Sequence, residues 1–211
     1  MATSKPSASE YYEAIGRLIV LFEHCVEQMR MFNMHLSGLF HSTEGQWTAR
    51  TFMHRMTARE LGEVCRTLFT DLKVKVGEDR VVTPSKEDLR AMEDLAKRWI
   101  TLCEKRNEAV HSTWFIGWGK EGRAPTLRWR RAKDGLTPHA RDYGLDDFAQ
   151  LGDEAKDFAN LLAYVQGGFL YNIIALRDGK NPSHLLANQI AFDRNGHVLI
   201  PEGRSGSVTP P

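Results

Sequence analysis

The sequence lacks the features that mark several large classes of protein. Lys and Arg number 28 against 27 Asp and Glu, so the formal net charge of the 211 residues is +1 and gives no bulk attraction to nucleic acid. A nucleic-acid surface would have to be local. No apolar run approaches the ~20 residues of a membrane span, and the polar segment Met1–Ser9 lacks the apolar stretch of a secretory signal. These absences favour a cytoplasmic protein without a membrane partner.

Disulfide and metal-binding patterns are also missing. The three cysteines, Cys25, Cys65 and Cys103, form no Cys-x-x-Cys pair and no cluster with histidine. Each lies within an apolar helical pattern, so we expect three reduced residues in the core. The sequence offers no convincing set of convergent carboxylates of the kind that a metal nuclease uses. We therefore expect no metal site and no cofactor.

Four segments repeat apolar residues at steps of three and four, which predicts four helices. Thr57 is placed to cap the second helix, which Gly77 ends, and Ser85 with Asp88 forms a capping pattern before the third. A loop at about His41–Trp47 separates the first two. The helices are expected at about residues 9–39, 57–77, 85–113 and 145–176.

Between the last two helices the pattern changes. Trp114–Trp118 and Thr126–Arg131 are separated by a stretch rich in Gly and Pro, which predicts a β-hairpin at about residues 114–131. The predicted fold is therefore mainly α: an up-and-down helical bundle over residues 9–180 with a small β-hairpin insertion.

Both termini are expected to lie outside the bundle. Residues 1–8 are expected to be disordered. Residues 181–211 form a C-terminal extension, in which an Asn-Gly turn at 195–196 predicts a second small hairpin. The last ten or so residues are expected to be disordered.

The third predicted helix ends in the run RNEAVH at residues 106–111. The spacing of Arg and His is a weak signal by itself, because Arg30 and His35 have the same spacing. Asn107 and the position at the end of a capped helix make the signal more specific. Over residues 106–114 the sequence resembles the HEPN family, in which Arg, then a polar residue that is often Asn, then three residues and His lie near the end of a bundle helix.

The resemblance implies a small helical bundle that forms a homodimer and, in many family members, cleaves RNA without a metal ion. It assigns the catalytic roles to Arg106, Asn107 and His111. HEPN partners of minimal nucleotidyltransferases carry a Tyr two residues after the His. This sequence has Thr113 there, which argues against that toxin–antitoxin pairing.

These residue types suit cleavage of RNA by its own 2′-hydroxyl. His111 can move protons near neutral pH, and the guanidinium of Arg106 matches two phosphate oxygens. Asn107 could hold His111 or a phosphate oxygen. One His does not readily serve as both base and acid, and the dimer that the resemblance implies would bring two of each residue into one cleft. The expected products are a 2′,3′-cyclic phosphate and a 5′-hydroxyl.

Helix geometry leaves a structural alternative open. At 100° per residue, Arg106 and His111 lie about 140° apart and do not share a face, whereas Asn107 and His111 do. Arg106 projects near the apolar stripe and needs a partner, which is either a carboxylate such as Glu23 or a bound phosphate. His111 could instead cap the helix C-terminus, where a cation is favoured.

A basic segment with an aromatic residue inside it, Arg128, Trp129, Arg130 and Arg131, is a candidate RNA-binding strand. On a strand, Arg128 and Arg130 share one face. The same pattern is typical of an exposed edge strand, where charge blocks pairing with other chains.

The sequence therefore predicts a metal-independent endoribonuclease of HEPN type that binds RNA as a homodimer. It would be a toxin or an effector of antiviral defence, with an antitoxin or a defence-system partner. The alternative is a non-catalytic dimeric module that binds a nucleotide or a protein.

Overall fold

The computed structural model shows a mainly helical protein with small antiparallel sheets. It describes residues 6–38, 43–76, 78, 80–116, 123–132, 135–180, 182, 184–186, 191–192 and 198–199, with the backbone alone for residues 43, 46, 129–132, 135–137, 191–192 and 198–199. The termini expected to be disordered lie outside these residues, except for 6–8, where Ser7 caps the first helix.

The described part of the chain forms five helices and seven strands. The helices are α1 (Ala8–Leu36), α2 (Thr43–Met53), α3 (Ala58–Thr70), α4 (Lys86–Val110) and α5 (Leu145–Arg177). The strands are β1 (Val74–Val76), β2 (Arg80–Val82), β3 (Thr113–Trp114), β4 (Ala124–Ala132), β5 (Gly135–Tyr143), β6 (Ala191–Phe192) and β7 (Val198–Leu199). Helices α1, α3, α4 and α5 are those that the apolar spacing predicts.

Side-chain caps set where three of the helices begin. Ser7, Thr57 and Ser85 each accept a hydrogen bond from the backbone N–H three residues on, and the acidic side chain of that residue bonds back to the cap. The predicted starts at Thr57 and Ser85 are therefore confirmed.

The region between α1 and α3 differs from the prediction. Thr43–Trp47, expected in a loop, begins α2, and α3 ends at Thr70 rather than at Gly77. Among the described side chains of α2, only Ala49 and Met53 are buried. Such a helix carries little apolar signal in its sequence, because packing against the bundle rather than a long apolar stripe stabilises it.

The predicted hairpin is part of a three-stranded antiparallel sheet. Thr113 and Trp114 pair with Leu127 and Thr126, and β4 then pairs along its whole length with β5, which the sequence analysis missed. Pro138 interrupts the strand pattern of β5. It is tolerated because β5 is the outer strand of this sheet. The small C-terminal hairpin is confirmed by the pairing of β6 with β7.

The core lies where α1, α3, α4 and α5 meet. Trp99 on α4 is fully buried, and its ring lies between those of Phe22 on α1 and Phe158 on α5, at centroid distances of 5.7 and 5.6 Å. Gly62 makes room for this ring, because a Cβ at that position would lie 2.3 Å from Cδ1 of Trp99. The cluster fixes the middle of α4 against α1 and α5, and the motif lies further along the same helix.

The three cysteines, Cys25, Cys65 and Cys103, are buried and free, as expected. Burial raises the pKa of each thiol to about 12. They are therefore protonated at neutral pH, and a protonated thiol is a poor nucleophile.

Helix α5 is long and apolar enough, by length and composition alone, to cross a membrane, which corrects the expectation that no segment could do so. The core helix of a soluble protein meets the same two criteria. In this fold α5 packs against α1, and its residues Phe158, Leu162 and Val165 are buried in the core. That packing accounts for part of its apolar composition, since 39% of the apolar window is buried.

Candidate active site

The end of α4 is tied to the sheet that follows it. Helix α4 ends at Val110, and the next residue, His111, donates its backbone N–H to the carbonyl of Asn107 at 3.1 Å. Nε1 of Trp114 in β3 donates to the carbonyl of Ala109 at 3.1 Å. These two bonds occupy the carbonyls of Asn107 and Ala109 in the last turn of the helix, where carbonyls commonly lack intrahelical partners. They fix the turn that positions His111.

The structure brings Arg106 and His111 together, which corrects the expectation from ideal helical angles. Nη1 of Arg106 lies 3.1 Å from Nε2 of His111. His111 is the C-cap residue of α4, with φ −100° and ψ 10°, and the contact is made although the two residues are about 140° apart around a regular helix. A guanidinium N–H can only donate, so Nε2 accepts and the imidazole proton lies on Nδ1 in this arrangement.

Asn107 joins the same group of side chains. Its Oδ1 accepts a hydrogen bond from Nη1 of Arg106 at 3.2 Å. The sequence left two partners open for this amide, the imidazole of His111 or a phosphate oxygen, and its side-chain contact here is to the guanidinium instead. The three predicted catalytic residues therefore form one connected cluster.

Arg106 has no carboxylate partner among the described residues. Its polar contacts there are those to Asn107 and His111, so Glu23, the candidate carboxylate, does not pair with it. Its guanidinium carbon lies 5.1 Å from the centre of the Phe22 ring, and its Nε is buried without a hydrogen-bond partner. A guanidinium in such surroundings keeps its charge available for an anion.

A second histidine, which the sequence analysis did not select, lies at this end of α4. Nδ1 of His139 in β5 is 3.3 Å from Oε1 of Glu108, and Nη1 of Arg141 is 3.8 Å from Oε2. The side chain of Glu108 is 13% exposed and that of His139 is 44% exposed. Glu108 stood in the motif itself, but its partner could not be found because β5 was not predicted.

The basic segment lies in β4, as expected of a strand. Arg128 is opposite His139 in the register of the sheet, so the two side chains lie on the same face. The side chains of Trp129, Arg130 and Arg131 lie outside the described part of the structure, so the predicted shared face of Arg128 and Arg130 rests on strand alternation alone. β3 pairs with β4 before this segment, which has β5 as its one described neighbour.

A partly exposed apolar surface lies between α1 and the residues that follow β3. Tyr12 and Ile15 on α1, with Phe115 and Ile116 after β3, line an open cavity of about 340 Å³. Tyr12 is largely exposed, as is Val20 two turns further along α1. Phe115 and Ile116 follow His111 by four and five residues in the sequence. Exposed apolar groups of this kind are typical of protein–protein contacts.

The chemistry of the site depends on its charged groups. No group of three or more His, Cys, Asp or Glu side chains is placed to hold a metal ion within the ranges that the structure describes. Arg106 can bind an anion, and His111 and His139 can exchange protons at the same end of α4.

Comparison of the chain with known protein families, with curated proteins and with solved structures gave no match. Evidence for function therefore comes from the geometry at the end of α4 and from the likeness of residues 106–114 to the HEPN motif.

Proposed function

We propose that the protein is a metal-independent endoribonuclease of HEPN type, which cleaves RNA through attack of the 2′-hydroxyl. One observation carries the proposal: Nη1 of Arg106 and Nε2 of His111 are 3.1 Å apart, and no described carboxylate neutralises the guanidinium. A structural arginine near an apolar face is expected to have a carboxylate partner. A guanidinium that meets a neutral imidazole instead is suited to bind a phosphate beside a base.

The chemistry follows from these contacts. A phosphate oxygen of RNA would take the place of the imidazole at Nη1 of Arg106, and Asn107 would keep the guanidinium oriented through its 3.2 Å bond. Nε2 of His111, which carries no proton, is then free to accept the proton of the 2′-hydroxyl. The guanidinium offsets the charge that develops on the phosphoryl oxygens.

The proposed partners are RNA and a second copy of the chain. The apolar surface around Tyr12, Ile15, Phe115 and Ile116 is the face that we assign to a homodimer, since it is open to solvent and two of its residues closely follow the motif in the sequence. The basic strand from Arg128 onward would contact RNA phosphates. In this proposal the protein is cytoplasmic and acts as a toxin or an antiviral effector, under the control of an antitoxin or a defence-system partner.

The test is incubation of single-stranded RNA with the protein in EDTA, followed by end-group analysis. Wild type is expected to leave 2′,3′-cyclic phosphate and 5′-hydroxyl ends, and His111→Ala is expected to lose cleavage by about 100-fold or more. His24→Ala removes an exposed histidine of α1 and serves as the matched control. Cleavage that survives His111→Ala, or no cleavage by wild type, would overturn the proposal. Growth arrest on expression of wild type but not of His111→Ala tests the toxin role.

A cavity between α1 and α2 favours a second candidate function, a nucleotide-binding module without catalysis. The cavity measures about 320 Å³, and its lining includes Arg30, Trp47 and Arg50. Trp47 is 68% exposed and can stack on a base, while the arginines can bind phosphate. Nη1 of Arg30 forms an ion pair with Oε2 of Glu27 at 3.2 Å, and its Nε is buried without a hydrogen-bond partner.

Calorimetric titration with adenosine monophosphate tests this candidate. Saturable binding that Arg50→Ala abolishes, with RNA left intact, would favour the binding module over the nuclease. Arg55→Ala, at an exposed arginine just after α2, is the control. If adenosine monophosphate does not bind, the second candidate is dropped.

A further inference from the structure

Helix α2 exposes two large aromatic side chains that the fold does not bury. Trp47 is 68% exposed and Phe52 is 65% exposed, although the same helix buries smaller side chains. Five residues line an open depression of about 410 Å³ there, which we call the α2 surface: Trp47, Thr48, Thr51, Phe52 and Arg55. Exposed rings of this size add little to the core, so they are candidates for contact with another molecule.

The arrangement of the α2 surface follows from helix geometry. At 100° and 1.5 Å per residue, Trp47 and Phe52 lie about 140° apart around the helix axis and about 7.5 Å apart along it. Thr48 and Thr51 fall between them, at about 100° and 40° from Trp47. Two hydroxyl-bearing residues therefore separate the two exposed aromatic residues, and Arg55 follows just after the end of the helix.

The charge around the α2 surface is positive, although the whole chain is nearly neutral. Residues 44–59 contain three arginines, Arg50, Arg55 and Arg59, and one acidic residue, Glu44. All three arginines are exposed, and within the ranges that the structure describes none of them forms an ion pair. Such cations attract a phosphate backbone, and their grouping is a local basic surface that the net charge does not reveal.

Aromatic rings, hydroxyl groups and cations together fit a single strand of nucleic acid. A ring can stack on the face of any unpaired base, and hydroxyl and guanidinium groups can bind phosphate oxygens. A duplex fits less well, because its bases are already stacked on one another. The buried core of a protein–protein interface is mostly apolar, whereas three of the five residues of the α2 surface are polar.

We infer that the α2 surface binds single-stranded RNA, with bases stacked on Trp47 and Phe52 and phosphate oxygens held by Arg55. The choice of RNA rests on the proposed nuclease function, in which this surface holds a part of the substrate other than the phosphate that is cut. Stacking and phosphate contacts do not read the 2′-hydroxyl. Single-stranded DNA therefore binds as well, and it cannot be cleaved because it lacks that hydroxyl.

Binding of a short, fluorescently labelled strand of deoxythymidine, measured by fluorescence anisotropy, tests the inference on the intact protein. Phe52 is the deciding residue, because Trp47 also lines the cavity between α1 and α2 and Phe52 does not. Phe52→Leu keeps an apolar side chain but removes the ring, and Phe52→Tyr keeps a ring. Tyr171→Leu removes an exposed ring from α5 and is the matched control.

Wild type is expected to bind the single strand more tightly than a DNA duplex with the same number of phosphates. Phe52→Leu is expected to weaken binding by roughly 5- to 100-fold, the range for loss of one stacked base, while Phe52→Tyr and Tyr171→Leu bind as wild type does. In RNA cleavage, Phe52→Leu is expected to raise the RNA concentration that gives half the maximal rate far more than it lowers that rate. A merely structural role of Phe52 would not separate these two quantities.

Three results would overturn the inference and leave the proposed nuclease intact: no binding of the strand by wild type, equal binding by wild type and Phe52→Leu, or tighter binding of the duplex. If Phe52→Leu binds the strand normally but changes the sedimentation of the protein, the α2 surface is a contact between copies of the chain instead. Binding that depends on Phe52, in a wild-type protein that does not cleave RNA, would keep the α2 surface and remove the nuclease.

Discussion

At the N-terminal end of α4, the buried carboxylate of Asp88 accepts hydrogen bonds from the backbone and the hydroxyl of Ser85, at 2.9 and 2.8 Å, and from the backbone N–H groups of Leu185 and Leu186. At the C-terminal end, the guanidinium of Arg106 meets an amide, an imidazole and an aromatic ring, with its Nε unpaired. Helix α4 therefore carries two charged groups in different surroundings. The carboxylate of Asp88 is hydrogen-bonded on both oxygens by groups of the protein, whereas the guanidinium of Arg106 has no carboxylate partner among the described residues.

The difference separates a structural role from a functional one. The bonds of Asp88 join the start of α4 to Leu185 and Leu186, so the charge is used inside the fold. Arg106 and His111 hold each other at a solvent-exposed helix end, and neither contact satisfies a full charge. A buried polar group without a partner commonly marks a site where stability gives way to function.

The largest expected effect is on the rate of RNA cleavage, from a substitution of Arg106 at the C-terminal end of α4. Arg106→Met is expected to lower the cleavage rate by about 100-fold or more, while the thermal midpoint stays the same or rises, because an apolar side chain over Phe22 removes a buried unpaired Nε. Single-turnover rates and thermal melts measure the two effects. Arg90→Met, at an exposed arginine of the same helix, is the control. A marked fall in the midpoint of Arg106→Met would make Arg106 structural.

At the N-terminal end of α4, where Asp88 is buried, the expected effect is on the free energy of unfolding. Asp88→Ala leaves the buried backbone N–H groups of Leu185 and Leu186 without acceptors, which is expected to cost about 3 kcal/mol in the free energy of unfolding. Urea unfolding measures it. Asp94→Ala, on the same helix but exposed, is expected to change stability by less than about 0.5 kcal/mol. Equal effects of the two variants would contradict the comparison.

Thiol labelling compares the two ends in one experiment. The pKa of Cys65 is raised to about 12 by burial, and its Sγ lies 3.9 Å from the sulfur of Met92, one turn after Asp88. We expect slow labelling in wild type, faster labelling in Asp88→Ala by up to roughly 100-fold, and no change in Arg106→Met, because labelling follows local or global opening. Rapid labelling of the folded wild type would show that this region is open.

The smallest expected effect is at the exposed cap of α3, where Thr57 and Glu60 form the same kind of capping box as Ser85 and Asp88. Hydrogen bonds from the backbone N–H and hydroxyl of Thr57 lower the pKa of Glu60. A carboxyl with a lowered pKa stabilises the fold above its unfolded pKa of about 4.5, and this contribution is lost as the pH falls through the folded pKa. Glu60→Gln is therefore expected to be slightly less stable than wild type at pH 7 and equal to it at low pH. Urea midpoints at pH 7 and pH 3 test this; a constant difference would contradict it.

Most of the helical fold could be predicted because its signals are local. The apolar spacing of α1, α3, α4 and α5 and the caps at Thr57 and Ser85 depend on residues within a few positions of each other. Helix α2 and strand β5 were missed because their stability comes from partners far along the chain. Met53 is buried only by the bundle, and Pro138 is acceptable only on an outer strand.

The candidate site was predictable in part for the same reason. Arg106, Asn107 and His111 lie within six consecutive residues, so their residue types and spacing could be recognised. Their contact could not be predicted, since ideal helical angles separate Arg106 from His111 and the contact depends on how the two side chains lie at the end of α4. His139 was invisible because it reaches Glu108 through β5.

The sequence by itself determined a helical bundle, the buried cysteines and the position of the RNEAVH run at a helix end, because residue spacing and capping act over a few residues. Tertiary structure alone decided which charged side chains have hydrogen-bond or ion-pair partners from distant parts of the chain. Asp88 is satisfied by residues near the end of the chain, Glu108 meets His139 from a strand, and Arg106 is left without a carboxylate among the described residues. Such pairings depend on how distant segments pack, and spacing in the sequence does not encode them.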